Sequence, residues 1–323
     1  MRKTQMKLEE LKAFNESSRF RHFDWDKAKT FYYVSKTGSF TNAARFLNMS
    51  QPALSRQISS LEKTIGYPLF IRQSRGVTVT RKGEQLASIV EDTLWQIKQF
   101  TNENYVKTNN GKQRKIKMAS THALSAYILG DVIIDYNKHN PHLTFELLGD
   151  DHLVDVFLND VDIAIRPIDE QIKNIPNQKN IRQEYLFSLE KKLYASPEYL
   201  EKYGEPQTVK DLKKHRLLAH ANPKEHPYSN VNWILTLGME DGELHEPHFI
   251  SNSVECLIDA AKNGLGIVGS YDEMKILRIA NLKNILPDVK CTSLKEFIIY
   301  PTYLEKDPEI KKLINYLKEK FTK

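Results

Sequence analysis

The sequence predicts a mixed α/β protein: a small helical module, then one long helix, then a larger region in which strands and helices alternate. Three observations support this fold class. Positive charge is concentrated near the N-terminus, a long amphipathic segment follows it, and short strand-like and helical runs alternate from Lys115 onward. The chain has 323 residues, which is enough for two or three domains.

Composition is typical of a globular protein, with 40% hydrophobic and 27% charged residues. No apolar run approaches the roughly 20 residues that a membrane helix requires. The first residues, MRKTQMKLEELKAFNESSRFRHF, lack the apolar core of a secretory signal. Only two cysteines are present, Cys256 and Cys291, so a disulfide framework is not expected. We therefore expect a cytoplasmic protein with no membrane partner.

Charge is unevenly distributed along the chain. Residues 25–82 hold ten Lys/Arg and two Asp/Glu, a net charge of +8, whereas the whole chain carries +6. Residues 1–24 form a polar N-terminal extension without strong periodicity and with a net charge of +2, so the remainder carries −4. A basic segment attached to an acidic body is typical of a nucleic-acid-binding module. A solvated basic face without such a role is the alternative.

Three helices are predicted within the basic segment. The first ends near Gly38, and the second, TNAARFL, is short and begins at Ser39 or Thr41, whose hydroxyl can accept an N–H that lacks a partner. A turn at Asn48-Met49 leads to the third helix, which begins at Ser50. Pro52 is tolerated in its first turn, and Gly66 ends it.

The third helix has an apolar stripe on one side and polar residues on the other. Apolar residues recur at i, i+4, i+7 and i+11, namely Leu54, Ile58, Leu61 and Ile65. The residues outside the stripe are polar: Gln51, Ser55, Arg56 and Ser59. Helix, tight turn and polar-fronted helix together indicate a helix-turn-helix, whose second helix enters the major groove. Gln and Arg are suited to bidentate hydrogen bonds with adenine and guanine.

The segment IRQSRGVTVT predicts a two-stranded wing after the third helix. Arg72 and Arg75 lie beside its glycine turn, in position to contact phosphate or the minor groove. A winged helix-turn-helix over residues 25–82 is therefore expected. An ordinary three-helix bundle with a hairpin is the alternative.

A long amphipathic helix is predicted from Arg81 to about Tyr105. Its apolar positions recur at helical spacing, which favours pairing with a second copy of the same helix. The alternative is a helix that packs on its own domain. VKTNNGKQRK follows as a predicted hinge, so residues 83–113 form the expected linker.

Residues 114–323 are predicted to form an α/β domain. IKMAS, LTFELLG and VDIAIRP are predicted strands, separated by predicted helices HALSAYILGDVIIDYNKHN and DHLVDVFLND. This βαβαβ series indicates a parallel sheet. A second unit follows, with LFSLEKKLYAS, a helix near PEYLEKYG, FISNSVECLIDAAKNG leading to GIVGS, and EFIIYP leading to the last helix, EIKKLINYLKEKF.

The chain resembles the LysR-type transcriptional regulators (LTTR) from about Phe23 to its C-terminus. The most specific part is FYYVSKTGSFTNAARFLNMSQPALSRQISSLEKTIGYPLFIRQSRGVTVTRKG, and IKMAST, DIAIRP, LYASPEYL, ISNSVE and GLGIV follow in the family's order. The resemblance implies a linker helix that dimerises and a two-subdomain, periplasmic-binding-protein-like effector domain. Subdomain I would span about 114–186 and 296–323, and subdomain II about 187–295.

The resemblance also implies partners and site residues. The partners are double-stranded DNA carrying an interrupted palindrome near promoters, a homodimer or dimer of dimers, a small polar or anionic effector, and RNA polymerase if the protein activates. DNA-reading residues would be Ser50, Gln51, Pro52, Ala53, Ser55 and Arg56, with backbone or wing contacts from Thr41, Arg72 and Arg75. The effector would contact Ser120, Thr121, His122, Arg166, Asn252 and Ser253, which lie at strand ends and helix starts, where open α/β sheets bind ligands.

No cofactor, metal site or catalytic group is expected. GLGIVG matches a dinucleotide fingerprint, but its glycines follow a helix and precede a strand, the reverse of the required order. The histidines of HEPH and the pair His220 and His226 are interpreted as surface loop residues, and Cys256 as a buried, inert thiol. Three functions compete with a regulator: a solute-binding module, an enzyme and an architectural DNA-coating protein. The first needs export, the second has no catalytic constellation here, and the third predicts weak sequence preference.

Overall fold

A computed structural model describes residues 23–73, 76–108, 114–151, 156, 160–168, 180–220, 231–289, 291 and 293–321, without the side chains of 72–76, 98–99 and 102–108. The chain divides into two compact units, Met1–Glu103 and Asn104–Lys323. Within the described ranges, no helix is both long and apolar enough to cross a membrane. The predicted N-terminal extension, except Phe23 and Asp24, lies outside these ranges, as does Arg75.

The described part of the first unit contains three short helices, a hairpin and the start of a long helix. Its elements are α1 (Trp25–Thr37), α2 (Phe40–Phe46), α3 (Gln51–Ile65), β1 (Phe70–Gln73), β2 (Gly76–Val79) and α4 (Arg81–Thr108). Asp24 caps α1, and Gly38, with φ of 61°, ends it in the left-handed region. Ser39 rather than Thr41 caps α2. The predicted helices and wing are confirmed.

The core of the first unit holds α3 in place. Phe31, Leu54, Ile58 and Leu61 are fully buried in one cluster. Glu62 accepts hydrogen bonds from the N–H groups of Leu69 and Phe70, at 2.7 and 3.3 Å, and so attaches the start of the hairpin to α3.

The second unit contains two five-stranded sheets. The first sheet, in the order β4-β3-β5-β12-β6, defines what we call the first subdomain. Its strands are β3 (Arg114–Ser120), β4 (Leu143–Gly149), β5 (Ile163–Pro167), β6 (Ile181–Leu189) and β12 (Leu294–Pro301). β3 is parallel to β4 and β5, but β12 is antiparallel to both of its neighbours. The three strands of the predicted βαβαβ series are therefore parallel as expected, but the whole sheet is mixed, because a strand from near the C-terminus enters it antiparallel.

The second sheet, in the order β11-β7-β10-β8-β9, defines the second subdomain. Its strands are β7 (Lys191–Ala195), β8 (Leu217–His220), β9 (Phe249–Ser251), β10 (Ile267–Tyr271) and β11 (Lys283–Ile285). β10 is parallel to β8 and antiparallel to β7. The chain enters this subdomain after β6 and leaves it before β12, so two crossings connect the subdomains.

Helices flank both sheets. The helices are α5 (His122–Leu124), continued by a π-helical segment (Ser125–Leu129) and α6 (Gly130–His139), then α7 (Pro197–Tyr203), α8 (Val254–Lys262), α9 (Lys275–Ile279) and α10 (Pro308–Phe321). One predicted helix, DHLVDVFLND, falls largely outside the described residues. GLGIVG follows α8 and its last three residues begin β10, and Gly264 has φ of 71°. The helix-before-strand order that argued against nucleotide binding is confirmed.

The predicted hinge VKTNNGKQRK is wrong at both ends. Residues 106–108 continue α4, and Arg114 and Lys115 already belong to β3. Only residues 109–113 of that stretch lie outside the described ranges. Helix and sheet pairing therefore extend further than the polar composition of this segment suggested.

Candidate functional site

The recognition helix α3 presents a polar N-terminal surface above a buried stripe. Ser50 Oγ accepts a hydrogen bond from the Ala53 N–H at 3.3 Å, which satisfies one N–H of the first turn. Gln51, Pro52 and Arg56 are exposed, whereas Ala53 and Ser55 are half-buried. The side chains that the sequence predicted to read bases therefore lie at the solvent-facing start of the helix.

Two further predicted contacts lie on neighbouring elements. Thr41 is exposed near the start of α2. Arg72 lies in β1, but its side chain is outside the described atoms, and Arg75 is wholly outside. Asn48, between α2 and α3, has φ of 52°, which allows the tight turn that sets the angle between these helices.

Hydrogen bonds that the sequence did not reveal join α3 to α1. Thr30 Oγ1 donates to Gln57 Oε1 at 2.9 Å, and Lys27 Nζ donates to Ser60 Oγ at 3.1 Å. Gln57 and Ser60 lie between the buried stripe and the exposed face, so they position the helix rather than face solvent. No sequence signal separates such polar residues from those predicted to read bases.

The start of α4 is attached to α1 through one carboxylate. Glu91 Oε1 accepts from Lys36 Nζ at 3.0 Å and from Tyr32 Oη at 3.3 Å. Elsewhere on α4 large apolar side chains face solvent: Ile89 is 61% exposed and Phe100 is 68% exposed. This helix therefore has both an attached face and an apolar exposed face.

In the second unit, the carboxyl ends of β3, β4 and β5 meet. The Asp150 N–H donates to the Ser120 carbonyl at 2.9 Å, and Arg166 Nη1 donates to the Asp150 carbonyl. The His122 N–H donates to Asp151 Oδ1 at 3.0 Å. The structure thus brings together Ser120, Thr121, His122 and Arg166, which the sequence placed at two separate strand ends.

These predicted effector residues differ in accessibility. Ser120 is fully buried, and its hydroxyl lies 2.7 Å from that of Ser125, whereas His122 is exposed and Thr121 is half-buried. Arg166 is only 3% exposed, and its Nε and Nη2 atoms have no hydrogen-bond partner among the described residues. A buried guanidinium with unused N–H groups is available to bind an oxygen acceptor.

A buried carboxyl group lies on the strand next to β5. Glu296 on β12 is 1% exposed, and burial raises its pKa to about 8, although the nearby charge of Arg166 opposes this shift. Asp150, Asp151 and Glu296 were missed by sequence reasoning. The doublet after LTFELLG was a usable signal at a strand end, but a single Glu in EFIIYP was not.

Asn252 and Ser253 lie in the second subdomain, and both are exposed. Ser253 caps α8 by accepting from the Cys256 N–H at 3.2 Å. The expectation for Cys256 is corrected, because its side chain is exposed. Helical spacing turns Leu257, Ile258 and Ala261 inward and leaves residue 256 outside.

The surface-loop interpretation is wrong for His220, which ends strand β8, and for His245. The side chain of His245 is buried, and Nε2 donates to the Leu237 carbonyl at 2.8 Å. His226 lies outside the described residues. Within the described part of the chain, no group of three His, Cys, Asp or Glu side chains could hold a metal ion.

The fold and these two sites define a class: a helix-turn-helix DNA-binding protein joined to a two-subdomain α/β domain. A family model described as "Bacterial regulatory helix-turn-helix protein, lysR family" matches residues 25–84, and one described as "LysR substrate binding domain" matches residues 109–322. The chain belongs to the LysR family of transcriptional regulators.

Named relatives agree with this assignment. The chain is 26% identical over 243 residues to the transcriptional regulator CrgA of Neisseria meningitidis, covering 75% of this chain and 78% of CrgA. It is 26% identical over 291 residues to the transcriptional activator TtdR of Escherichia coli, covering 88% and 89%. These relatives are regulators rather than enzymes.

Solved structures show the same fold. The structure of CrgA from Neisseria meningitidis matches with a TM-score of 0.54 and 23% identity, covering 92% of this chain and 99% of CrgA. Full-length AphB of Vibrio cholerae matches with a TM-score of 0.54 and 18% identity, covering 91% and 98%.

Proposed function

We propose that this regulator binds an interrupted palindrome near promoters as a homo-oligomer and that a small organic effector modulates its binding. The observation that carries the proposal is the start of α3. Gln51 and Arg56 are exposed there, and Leu54, Ile58 and Leu61 fix the helix from behind. Residues at the start of a recognition helix enter the major groove first. In this proposal residues 25–82 bind DNA, so the protein acts in the cytoplasm.

The proposed homodimer uses the exposed apolar side of α4. Ile89, Ile97 and Phe100 are 61%, 47% and 68% exposed, and their spacing keeps them on one side of the helix. Covering this side with a second copy would bury apolar surface and hold two recognition helices at a fixed spacing. An interrupted palindrome is the DNA sequence that matches such two-fold symmetry. Residues 83–113 are the proposed linker, and a dimer of dimers is the proposed assembly.

The proposed effector domain is residues 114–323. Support comes from the meeting of three strand ends at Ser120, Thr121, His122 and Arg166, with Asn252 and Ser253 in the second subdomain. An effector that contacts both subdomains would favour one angle between them. It can change DNA binding only if its affinity differs between the two states. If the protein activates transcription, RNA polymerase is a further proposed partner.

Sequencing of bound genomic fragments tests the proposal. Purified full-length protein would be mixed with sheared DNA of its source organism at physiological salt, and the retained fragments would be sequenced. Discrete peaks that share an interrupted palindrome are expected. The control is the same binding at raised salt, because phosphate contacts weaken with salt at every sequence. Uniform binding that salt abolishes would instead indicate an architectural DNA-coating protein.

A further inference from the structure

A cavity of about 80 Å³ lies in the second subdomain, against the first. Its walls come from β8, β10, α8 and the short helix Trp233–Thr236, and Ala123 of the first subdomain closes one side. A single water molecule needs at least about 10–15 Å³. The cavity is therefore large enough for several non-hydrogen atoms of a ligand.

The described residues that line the cavity include no Asp, Glu, Lys or Arg. Most of the wall is apolar, with Leu218, Leu257 and Val268 buried around it. A charged ligand group would lose its hydration here with no carboxylate, ammonium or guanidinium group to replace it. The wall therefore favours a ligand whose buried part is uncharged.

Two polar side chains of the wall, those of Asn232 and Ser270, interact with other protein groups. Asn232 Oδ1 accepts from the His220 N–H at 2.7 Å, and Asn232 Nδ2 donates to the His220 carbonyl at 2.8 Å. Ser270 Oγ lies 3.6 Å from Met274 Sδ. Asn232 and Ser270 thus keep few groups for a ligand, and His220 and Tyr271 are the other polar residues of the wall.

An aromatic ring forms one side of the cavity. Trp233 is 5% exposed, and its indole packs so closely on Gly269 that a Cβ there would lie 2.8 Å from Trp233 Cζ2. Glycine at position 269 therefore allows the ring to approach β10 closely. Such a ring is suited to packing against an aromatic or branched alkyl group.

The cavity adjoins the residues that the sequence predicted for the effector but does not include them. Ala123 follows His122, and Val254 follows Ser253, and only the second member of each pair lines the cavity. Because Ala123 comes from the other subdomain, a ligand in the cavity touches both subdomains. This position gives the ligand a means of favouring one angle between them.

We propose that this cavity binds a small ligand with an uncharged aromatic or branched alkyl body, which deepens and rests on the effector role proposed above. The ligand class differs from the polar or anionic effector that the strand-end residues suggested. Arg166, the buried cation of that group, does not line the cavity. A carboxylate is therefore a disfavoured occupant.

Matched pairs of probes test the ligand class on the full-length protein. The pairs are benzyl alcohol with benzoate, and 3-methylbutanol with 3-methylbutanoate, so that charge is the main change within each pair. Binding would be followed by fluorine NMR of protein labelled with 5-fluorotryptophan. The chain has three tryptophans, at positions 25, 95 and 233, and a Trp233→Phe variant assigns the third resonance. At least one alcohol is expected to shift the Trp233 resonance selectively and to bind more tightly than its acid.

Two alanine variants locate the site. Ala123→Leu fills part of the cavity and is expected to weaken alcohol binding about tenfold or more, because overfilling a packed space is costly. Ala126→Leu adds the same side chain at an exposed position of the same helical run and is expected to leave binding within about twofold. If Ala123→Leu does not fold, the test is decided by whether the alcohols or the acids shift the Trp233 resonance of the unmodified protein.

Three outcomes would overturn the inference: neither alcohol binds, an acid binds more tightly than its alcohol, or the folded Ala123→Leu variant binds normally. These outcomes are independent of the genomic binding experiment. If a palindrome is recovered but no alcohol binds, only the proposed ligand class is contradicted, and the proposed regulatory function stands. Alcohol binding at Trp233 without a recovered palindrome removes the proposed regulatory role instead.

Discussion

In the first unit, the residues predicted to contact a ligand lie on the surface, outside the hydrophobic core. In the second unit, several of the predicted ligand-contacting residues are buried. Gln51 and Arg56 are exposed on a helix whose opposite side is buried. Ser120 and Arg166 are buried and hydrogen-bonded to neighbouring strands or helices. Substitutions on the proposed DNA-reading surface should therefore separate function from stability. Substitutions at the strand ends should affect both.

The largest effect is expected from the buried ion pair of the second unit. Asp307 Oδ1 lies 2.5 Å from Arg114 Nη1 and also accepts from the N–H groups that begin α10. Asp307→Ala should lower the free energy of unfolding by about 3–5 kcal/mol, because it leaves a largely buried Arg without its partner. Urea denaturation measures this change.

The matched control for this prediction is Glu305→Ala, two residues away. Glu305 pairs with Arg182, but both side chains are about half exposed, so a loss below about 1 kcal/mol is expected. Equal losses of unfolding free energy in the two variants would show that burial does not determine how much an ion pair contributes to stability in this unit.

The next effect depends on pH and concerns Glu296. Its pKa is raised to about 8 from an ordinary value of 4.5. Between these two pH values, the folded state therefore keeps a proton that the unfolded chain has released. The stability associated with the protonated form is complete below about pH 4.5 and is lost as pH rises through about 8. Glu296→Gln remains neutral, so its advantage over the unmodified protein should grow to about 2–4 kcal/mol by pH 8.5.

Denaturation midpoints at pH 5 and pH 8.5 check the Glu296 prediction. Glu243→Gln, at an exposed position, is the control and should show no such growth. A Glu296→Gln variant that follows the pH dependence of the unmodified protein would mean that this carboxyl group is not the source of the difference.

A smaller effect, on DNA affinity alone, is expected at Arg56. Arg56→Ala should weaken specific binding by about 1–3 kcal/mol through loss of a bidentate base contact and change stability by less than about 0.5 kcal/mol. Fluorescence anisotropy with the recovered palindrome and with unrelated DNA separates specific from general binding. Lys63→Ala removes the same charge from the last turn of α3 and should change the affinity for either DNA only slightly. A destabilised Arg56→Ala protein would contradict the contrast between the units.

The smallest effect sharpens the contrast within α3 itself. Ser50 both caps the helix and lies on the proposed DNA-contacting surface, so Ser50→Ala should cost about 1 kcal/mol of stability as well as some affinity. Ser59→Ala, at an exposed interior position, should cost no stability, because Ala is the better helix former. Thermal denaturation of both variants measures the difference. Equal stability would show that the cap does not hold the first turn.

Much of the first unit was predictable because its signals are local. Ser50, Gly38 and Gly66 mark helix ends by capping or by left-handed backbone, and both effects act within a few residues. The apolar stripe of α3 also needs only the period of the helix. The effector residues were predicted as positions at strand ends, and the structure brings four of them together. Their burial was not predictable from the same patterns.

What the sequence determined by itself was the order of helices and strands, the buried side of α3 and the basic character of residues 25–82. What only the tertiary structure decided was which strands are neighbours, that β12 runs antiparallel beside β5, and that Arg166 and Glu296 are enclosed. The physical reason is distance along the chain. A cap or a helical stripe depends on residues within a few turns, whereas the burial of Arg166 depends on a strand more than a hundred residues later, whose position no local pattern specifies.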